Sequence, residues 1–279
     1  MILAMAGFAF EDLFIKTLSA HLPVSEIIII LGSTGSIIFL IIALLQRAPI
    51  IHKDLLNRYV ITRTVLELFG ALFFVIAIAL TPLSSASAIL QITPLLVTIG
   101  AAVFFRENVG WRRWTAVLIG FIGVLLILRP GFGGFMPASI FALLGAMFLA
   151  GRDLATRAME VKLPSVTIAL YAFLAFGISG IFIMPFNSAM IALTSTDIMY
   201  FIGASTFGVI AYYSIVISSR IGEMSVISPF RYTRIVFAML LAIIILGERP
   251  DSFTLIGATV IVASGLYTFI RESVLNKPQ

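Results

Sequence analysis

The chain of 279 residues has no cysteine, two histidines and few charges: 11% of it is Asp, Glu, Lys or Arg. Without cysteine there is no disulfide framework and no thiolate metal site. His21 and His52 fall at loop positions far apart in sequence, so no histidine pair has metal-ligand spacing. A soluble domain carries about a quarter charged residues. Here 61% of residues are hydrophobic, more than a soluble fold of this length could bury, so lipid must be the main solvent. The net charge of +5 comes from single basic residues between apolar runs and not from a patch, which argues against a nucleic-acid partner. Gly131-Phe132-Gly133-Gly134 lacks the lysine and helix context of a phosphate loop. No His–Asp or Ser–His cluster stands at a membrane face, so neither enzyme chemistry nor a cofactor is expected.

What is present is a series of apolar segments, each near the ~20 residues that a bilayer crossing needs. Breakers and charges divide them into ten: 1–19, 24–45, 59–80, 84–105, 114–128, 136–158, 164–184, 198–218, 224–246 and 253–270. They are too long and too unbroken for barrel strands. The expected fold is all-α integral membrane, with short connections and no separate soluble domain. With the N-terminus inside, the cytoplasmic loops hold Arg47, Lys53, Arg58, Arg106, Arg112, Arg113, Arg157, Lys162, Arg220, Arg271 and Lys277. The opposite side holds Lys16, Arg129 and Arg249. Both termini are therefore expected in the cytoplasm, with the chain in the cell inner membrane. No cleaved leader is expected, since the chain is apolar from Met1 and lacks a basic start.

A shift of about 141 residues overlays Asp12-Leu13 on Asp153-Leu154, Lys16 on Arg157, Tyr59 on Tyr200, Ser84 on Ser225 and Glu107 on Glu248. The shift crosses five helices, an odd number, so two copies, 1–130 and 131–279, should lie upside down relative to each other. Such inverted repeats are a plan of secondary transporters, with substrate bound near the midplane. The same register puts the start of helix one about five residues before Met1, which predicts a missing first turn.

Several stretches resemble a known family. Ala6-Gly7-Phe8-Ala9-Phe10-Glu11-Asp12-Leu13-Phe14-Ile15-Lys16 is similar to the first helix of the EamA family in the drug/metabolite transporter superfamily, and 82–94 to its fourth. Glu107 with Trp111-Arg112-Arg113-Trp114 and Gly120-Phe121-Ile122-Gly123 resembles its hairpin between helices four and five. Pro229-Phe230-Arg231-Tyr232-Thr233-Arg234 and Gly247-Glu248-Arg249-Pro250 resemble the matching part of the second half. The resemblance covers nearly the whole chain. It implies ten helices around a central cavity lined by the first, third, fourth, sixth, eighth and ninth, and it implies no particular substrate.

Ionisable residues inside spans cost ~2.5–3.5 kcal/mol each unless paired or used. Asp12 with Lys16, Arg63 with Glu67 and Asp153 with Arg157 are each four apart and can pair on one helix face. Glu11 and Arg152 hold equivalent places with opposite charge and are expected to approach each other near the cavity centre, directly or through substrate. Arg231 and Arg234 are near mid-span in helix nine, where the repeat mate offers Leu90, Gln91, Ile92 and Thr93. Guanidinium matches carboxylate or phosphate, so these arginines either bind an anionic substrate group or are compensated by Glu11, Glu67 or Asp153. Gln91, Tyr212 and Tyr232 are candidates to orient a substrate, and Tyr213 to stack on it or pack. Glu11, or else Glu67, would carry a proton or an ammonium. Pro94 and Pro229 should kink their helices, and Glu107 and Glu248 should act as caps or loop anchors.

The expected function is secondary transport of a small polar, anion-bearing metabolite by alternating access, with proton coupling open and a monomeric or homodimeric state. The alternative is export of hydrophobic cations or drugs through the intramembrane carboxylates.

Overall fold

The structure, a computed structural model, describes residues 1–106, 110–130, 136–160, 163–186, 190–221 and 228–275. Among the described residues there is no strand, and there are eleven α-helices: α1 Ile2–Leu18, α2 Val24–Leu45, α3 Arg58–Leu80, α4 Leu83–Leu90, α5 Thr93–Phe104, α6 Trp111–Leu128, α7 Ser139–Arg157, α8 Ser165–Ile183, α9 Ser195–Ile221, α10 Thr233–Ile244 and α11 Ser252–Leu275. Each of the ten segments expected from sequence holds helix. The fourth is split into α4 and α5. The ninth contains a 3₁₀ turn, Ser228–Tyr232, that runs into α10. Seven spans have the length and apolar composition of a bilayer crossing. The first helix falls short because it has only 17 residues and includes Glu11, Asp12 and Lys16.

Helix starts follow local chemistry. Pro23, Pro82 and Pro164 stand immediately before α2, α4 and α8 in extended conformation, where their missing N–H costs no helical bond. Asn57 caps α3 by accepting from the Tyr59 amide at 2.9 Å. The split in the fourth span has a similar cause. Pro94 cannot donate to Leu90, and the Thr93 hydroxyl donates to the Leu90 carbonyl instead, at 2.6 Å. Pro94 thus interrupts its helix as expected.

Packing runs between the two halves of the chain. The main partners are α2 with α8, α3 with α7, α1 with α9, and α6 with α11; α1 also meets α10, and α7 meets α4 and α5. Gly32 faces Gly177, where a Cβ would stand 2.3 Å from the Gly177 backbone, so α2 and α8 cross at main-chain contact. Gly123 and Gly257 do the same for α6 and α11. Leu18, Ile27, Ile28, Leu31, Ile78, Leu83 and Ile89 fill the interior. Ile37, Leu44, Leu118, Phe182 and Ile244 point outward, as suits a lipid-facing surface.

Candidate functional site

Charged side chains from α1, α3, α7, α10 and the turn before it, with Tyr212 of α9, converge inside the bundle in two groups. In the first, Arg63 and Glu67 on α3 pair at 2.8 Å, as their spacing predicts. Glu67 also receives Arg152 of α7 at 2.9 Å and the Tyr212 hydroxyl of α9 at 3.1 Å. Arg63 donates to the Tyr212 oxygen at 2.8 Å. Arg152 bridges onward to Asp153 at 2.8 Å, and Asp153 accepts from Arg231 at 3.1 Å. Three arginines therefore share two carboxylates. Arg63 and Glu67 are buried, 6% and 5% exposed. Phe39 and Phe173 pack edge-on against the Tyr212 ring and hold it in place.

The second group lies deeper along α1. Arg234 makes a forked contact with Asp12, Nη2 to Oδ2 at 2.7 Å and Nε to Oδ2 at 3.1 Å. Its guanidinium also lies over the rings of Phe8 and Phe74, 4.9 and 5.1 Å from their centroids. Glu11 is one residue away and makes no ion pair or hydrogen bond among the described residues. Its carboxylate rests on α9 at Gly208, where a Cβ would come within 2.5 Å of Oε1.

Three sequence-based pairings are corrected. Asp12 does not pair with Lys16, because Arg234 offers it a bidentate fork. Lys16 instead donates to the Ile78 and Thr81 carbonyls, at 2.9 and 2.8 Å, which the end of α3 before Pro82 leaves without helical partners. Asp153 does not pair with Arg157, which lies over the Phe105 ring, while Asp153 turns to Arg152 and Arg231. Glu11 and Arg152 do not meet directly; Arg152 is engaged by Glu67 and Asp153.

The structure joins Glu67, Arg152, Tyr212 and Arg231 in one network and sets Arg234 beside Glu11 in the other. Gln91, at the break between α4 and α5, is 5% exposed and its Nε2 has no acceptor. Tyr232 turns its hydroxyl toward α11 at Gly265. Tyr213 accepts from Gln46 at the exposed end of α2, at 3.2 Å. Asp12 and Asp153 were read from sequence as parts of local pairs. Their partners lie 222 and 78 residues away, a separation that no spacing rule reveals.

The end of the bundle away from Met1 is tied shut by polar contacts. Glu248 accepts from the Leu83 and Ser84 amides, at 2.7 and 3.1 Å, and from the Ser84 hydroxyl at 2.7 Å, so it caps α4 from the other half of the chain. Glu107 and Ser225, the repeat mates of Glu248 and Ser84, lie outside the described residues. Arg129 hydrogen-bonds Asp251 nearby. Partial burial pushes the Asp251 carboxyl up, but hydrogen bonds from Arg129 and Thr254 outweigh it and hold it below the usual carboxylate range. A cavity of about 180 Å³ lies between these contacts, lined by Pro82, Ser85, Met136, Ser139 and Thr254 among others.

This helix arrangement can be compared with known proteins. The profile of the EamA-like transporter family matches residues 1–129 and again 136–270. The chain belongs to the EamA-like transporter family. It is similar to an S-adenosylmethionine uptake transporter of Rickettsia bellii, 25% identical over 76% of this chain and 72% of the relative. It is similar to a riboflavin transporter of Vibrio cholerae, 29% identical over 72% of this chain and 68% of the relative. It is also similar to a pseudopaline exporter of Pseudomonas aeruginosa, 25% identical over 94% of this chain and 92% of the relative. A solved crystal structure shares the fold with a TM-score of 0.68, covering 99% of this chain and 98% of that one at 18% identity. The EamA-like protein is thus a multi-pass membrane transporter of a small molecule, and not an enzyme.

Proposed function

We propose that this EamA-like protein moves a small polar metabolite bearing an anionic group across the inner membrane by alternating access. The observation that carries the reading is the pair of buried groups, in which Arg231 and Arg234 are each held by one carboxylate from another helix. A buried cation of this kind is costly unless paired or used. A substrate carboxylate or phosphate can replace Asp153 or Asp12 on the same guanidinium, and the freed aspartate then supplies the differential contact that couples binding to rearrangement.

Glu11 stands beside Arg234 with no ion pair of its own, and in this reading it takes the proton or a substrate ammonium. Glu67, held by Arg63, Arg152 and Tyr212, is less free to do so. Gln91, Arg152, Tyr212 and Tyr232 orient the substrate or keep the arginines in register. Two inverted repeats, about 1–130 and 131–279, support a two-state cycle, and the helix pairing maps onto itself when the halves exchange. Both termini in the cytoplasm follow from the lysine and arginine bias. The test is uptake into proteoliposomes. Wild-type vesicles should accumulate at least one labelled anionic or zwitterionic metabolite, and Arg231→Gln and Arg234→Gln should reduce that flux at least tenfold. Flux of hydrophobic cations alone, untouched by these changes, would establish the cation-exporter alternative.

A further inference from the structure

Counting charges in the two groups singles out one residue. The Asp12–Arg234 group, with Glu11, has two carboxylates to one guanidinium. The other group has Glu67 and Asp153 against Arg63, Arg152 and Arg231, one positive charge in excess among the described residues. The excess is not spread evenly. Arg152 touches both carboxylates, and Arg231 has the free face of Asp153. Arg63 has only a share of Glu67, through Nη2, plus the Tyr212 oxygen. Its Nε and Nη1 are fully buried with no acceptor among the described residues. Three of its five N–H groups are therefore unsatisfied, within a residue that is 6% exposed. A buried charged donor left in this way is one of the costliest features a fold can keep.

We infer that Arg63 is a further anion-binding residue of the transport site, beside Arg231 and Arg234, and that its Nε and Nη1 donate to a carboxylate or phosphate oxygen when substrate is bound. One monoanionic group both satisfies the orphaned donors and brings the five charged residues of the network to neutrality. Glu67 does not need Arg63 for its own burial, since Arg152 and Tyr212 also reach it. The third arginine is therefore surplus to the internal pairing. The inference rests on the transport reading only for the claim that the anion is carried by substrate; binding itself can be measured without flux.

The experiment is a thermal-shift titration of the purified full chain in detergent, with acetate and phosphate as separate probes. Ionic strength is held constant with a bulky sulfonate that a buried site cannot admit. Wild type should gain several degrees with one probe, and the better probe separates a carboxylate site from a phosphate site. Arg63→Gln should lose that gain while melting no lower than wild type in the sulfonate alone, because it removes the excess charge and the orphaned donors together. Glu67→Gln, which raises the excess to two, should respond more strongly to the same anion than wild type. A buried water at Arg63 would satisfy the donors without charge. In that case wild type shows no anion response, and the inference is overturned. A large fall in the melting point of Arg63→Gln with the anion response intact would also overturn it and make Arg63 a structural partner of Glu67. Anion stabilisation with no flux of any metabolite would leave the site standing and remove the transport reading instead.

Discussion

Arg234 reaches across 222 residues of sequence to clamp Asp12 with a guanidinium fork, Nη2 to Oδ1 at 2.9 Å and to Oδ2 at 2.7 Å. This contact ties the first helix of one half to α10 of the other, and the rings of Phe8 and Phe74 lie against the guanidinium.

Removing one partner of a buried pair leaves the other charge uncompensated, at a cost of about 3–5 kcal/mol. Arg234→Gln, which leaves the Asp12 and Glu11 carboxylates without a cation, is therefore expected to lower stability by about that amount in thermal unfolding in detergent. The double change Asp12→Asn with Arg234→Gln should recover a large part of it. Equal losses in the single and double variants would mean that the pair is not a unit.

Glu11 touches Gly208 of α9, and its carboxylate can swing away from an added methyl group because it ends a flexible side chain. Gly208→Ala should leave the melting temperature nearly unchanged while reducing flux, since the carboxylate is displaced from its position in the site. Glu11→Gln should make flux insensitive to an imposed pH gradient. Gradient-driven uptake that persists in Glu11→Gln would remove Glu11 from any coupling role.

The reach of the sequence is clear at these residues. Arg63 and Glu67 were legible as a pair because four residues on a helix put two side chains on one face. The same rule misled at Asp12, Lys16 and Asp153. A local partner loses when tertiary packing offers a better one. Arg234 gives Asp12 a forked contact, and the carbonyls at the end of α3 draw Lys16 away. The spans and the break at Pro94 could be read from breakers and missing donors. The orphaned nitrogens of Arg63 could not, because a lone sequence does not show which of three arginines is left over when two carboxylates are shared.

Glu248 caps α4 with both carboxylate oxygens. Losing a cap costs about 1 kcal/mol, up to about 2, and here it also loosens the closed end of the bundle. The chain has no cysteine, so Ser85→Cys alone is a clean reporter at the cavity wall. Its labelling by a membrane-impermeant maleimide should speed up when Glu248→Gln is added. An unchanged rate would show that Glu248 caps a helix without sealing the cavity.

Asp251 helps close the same end. Its carboxyl is held below the usual carboxylate range in the folded protein, so its contact with Arg129 is intact above that range and is lost as pH falls through the folded value. Cysteine labelling needs the thiolate, which acid removes, so thermal unfolding of wild type and Asp251→Asn in detergent from pH 6 down to about 3 reads this better. The melting temperature of wild type should fall toward the acid end, and Asp251→Asn should show a smaller fall over the same range.

The central claim is that buried arginines take an anionic group. A thermal-shift panel of amino acids, dicarboxylates, nucleotide-like metabolites and organic cations on wild type and Arg231→Gln tests it most directly, because a ligand that binds the folded state raises its apparent stability. The account predicts stabilisation by an anion-bearing compound that Arg231→Gln loses while its basal melting temperature holds. Stabilisation by cations alone, equal in both proteins, would contradict it.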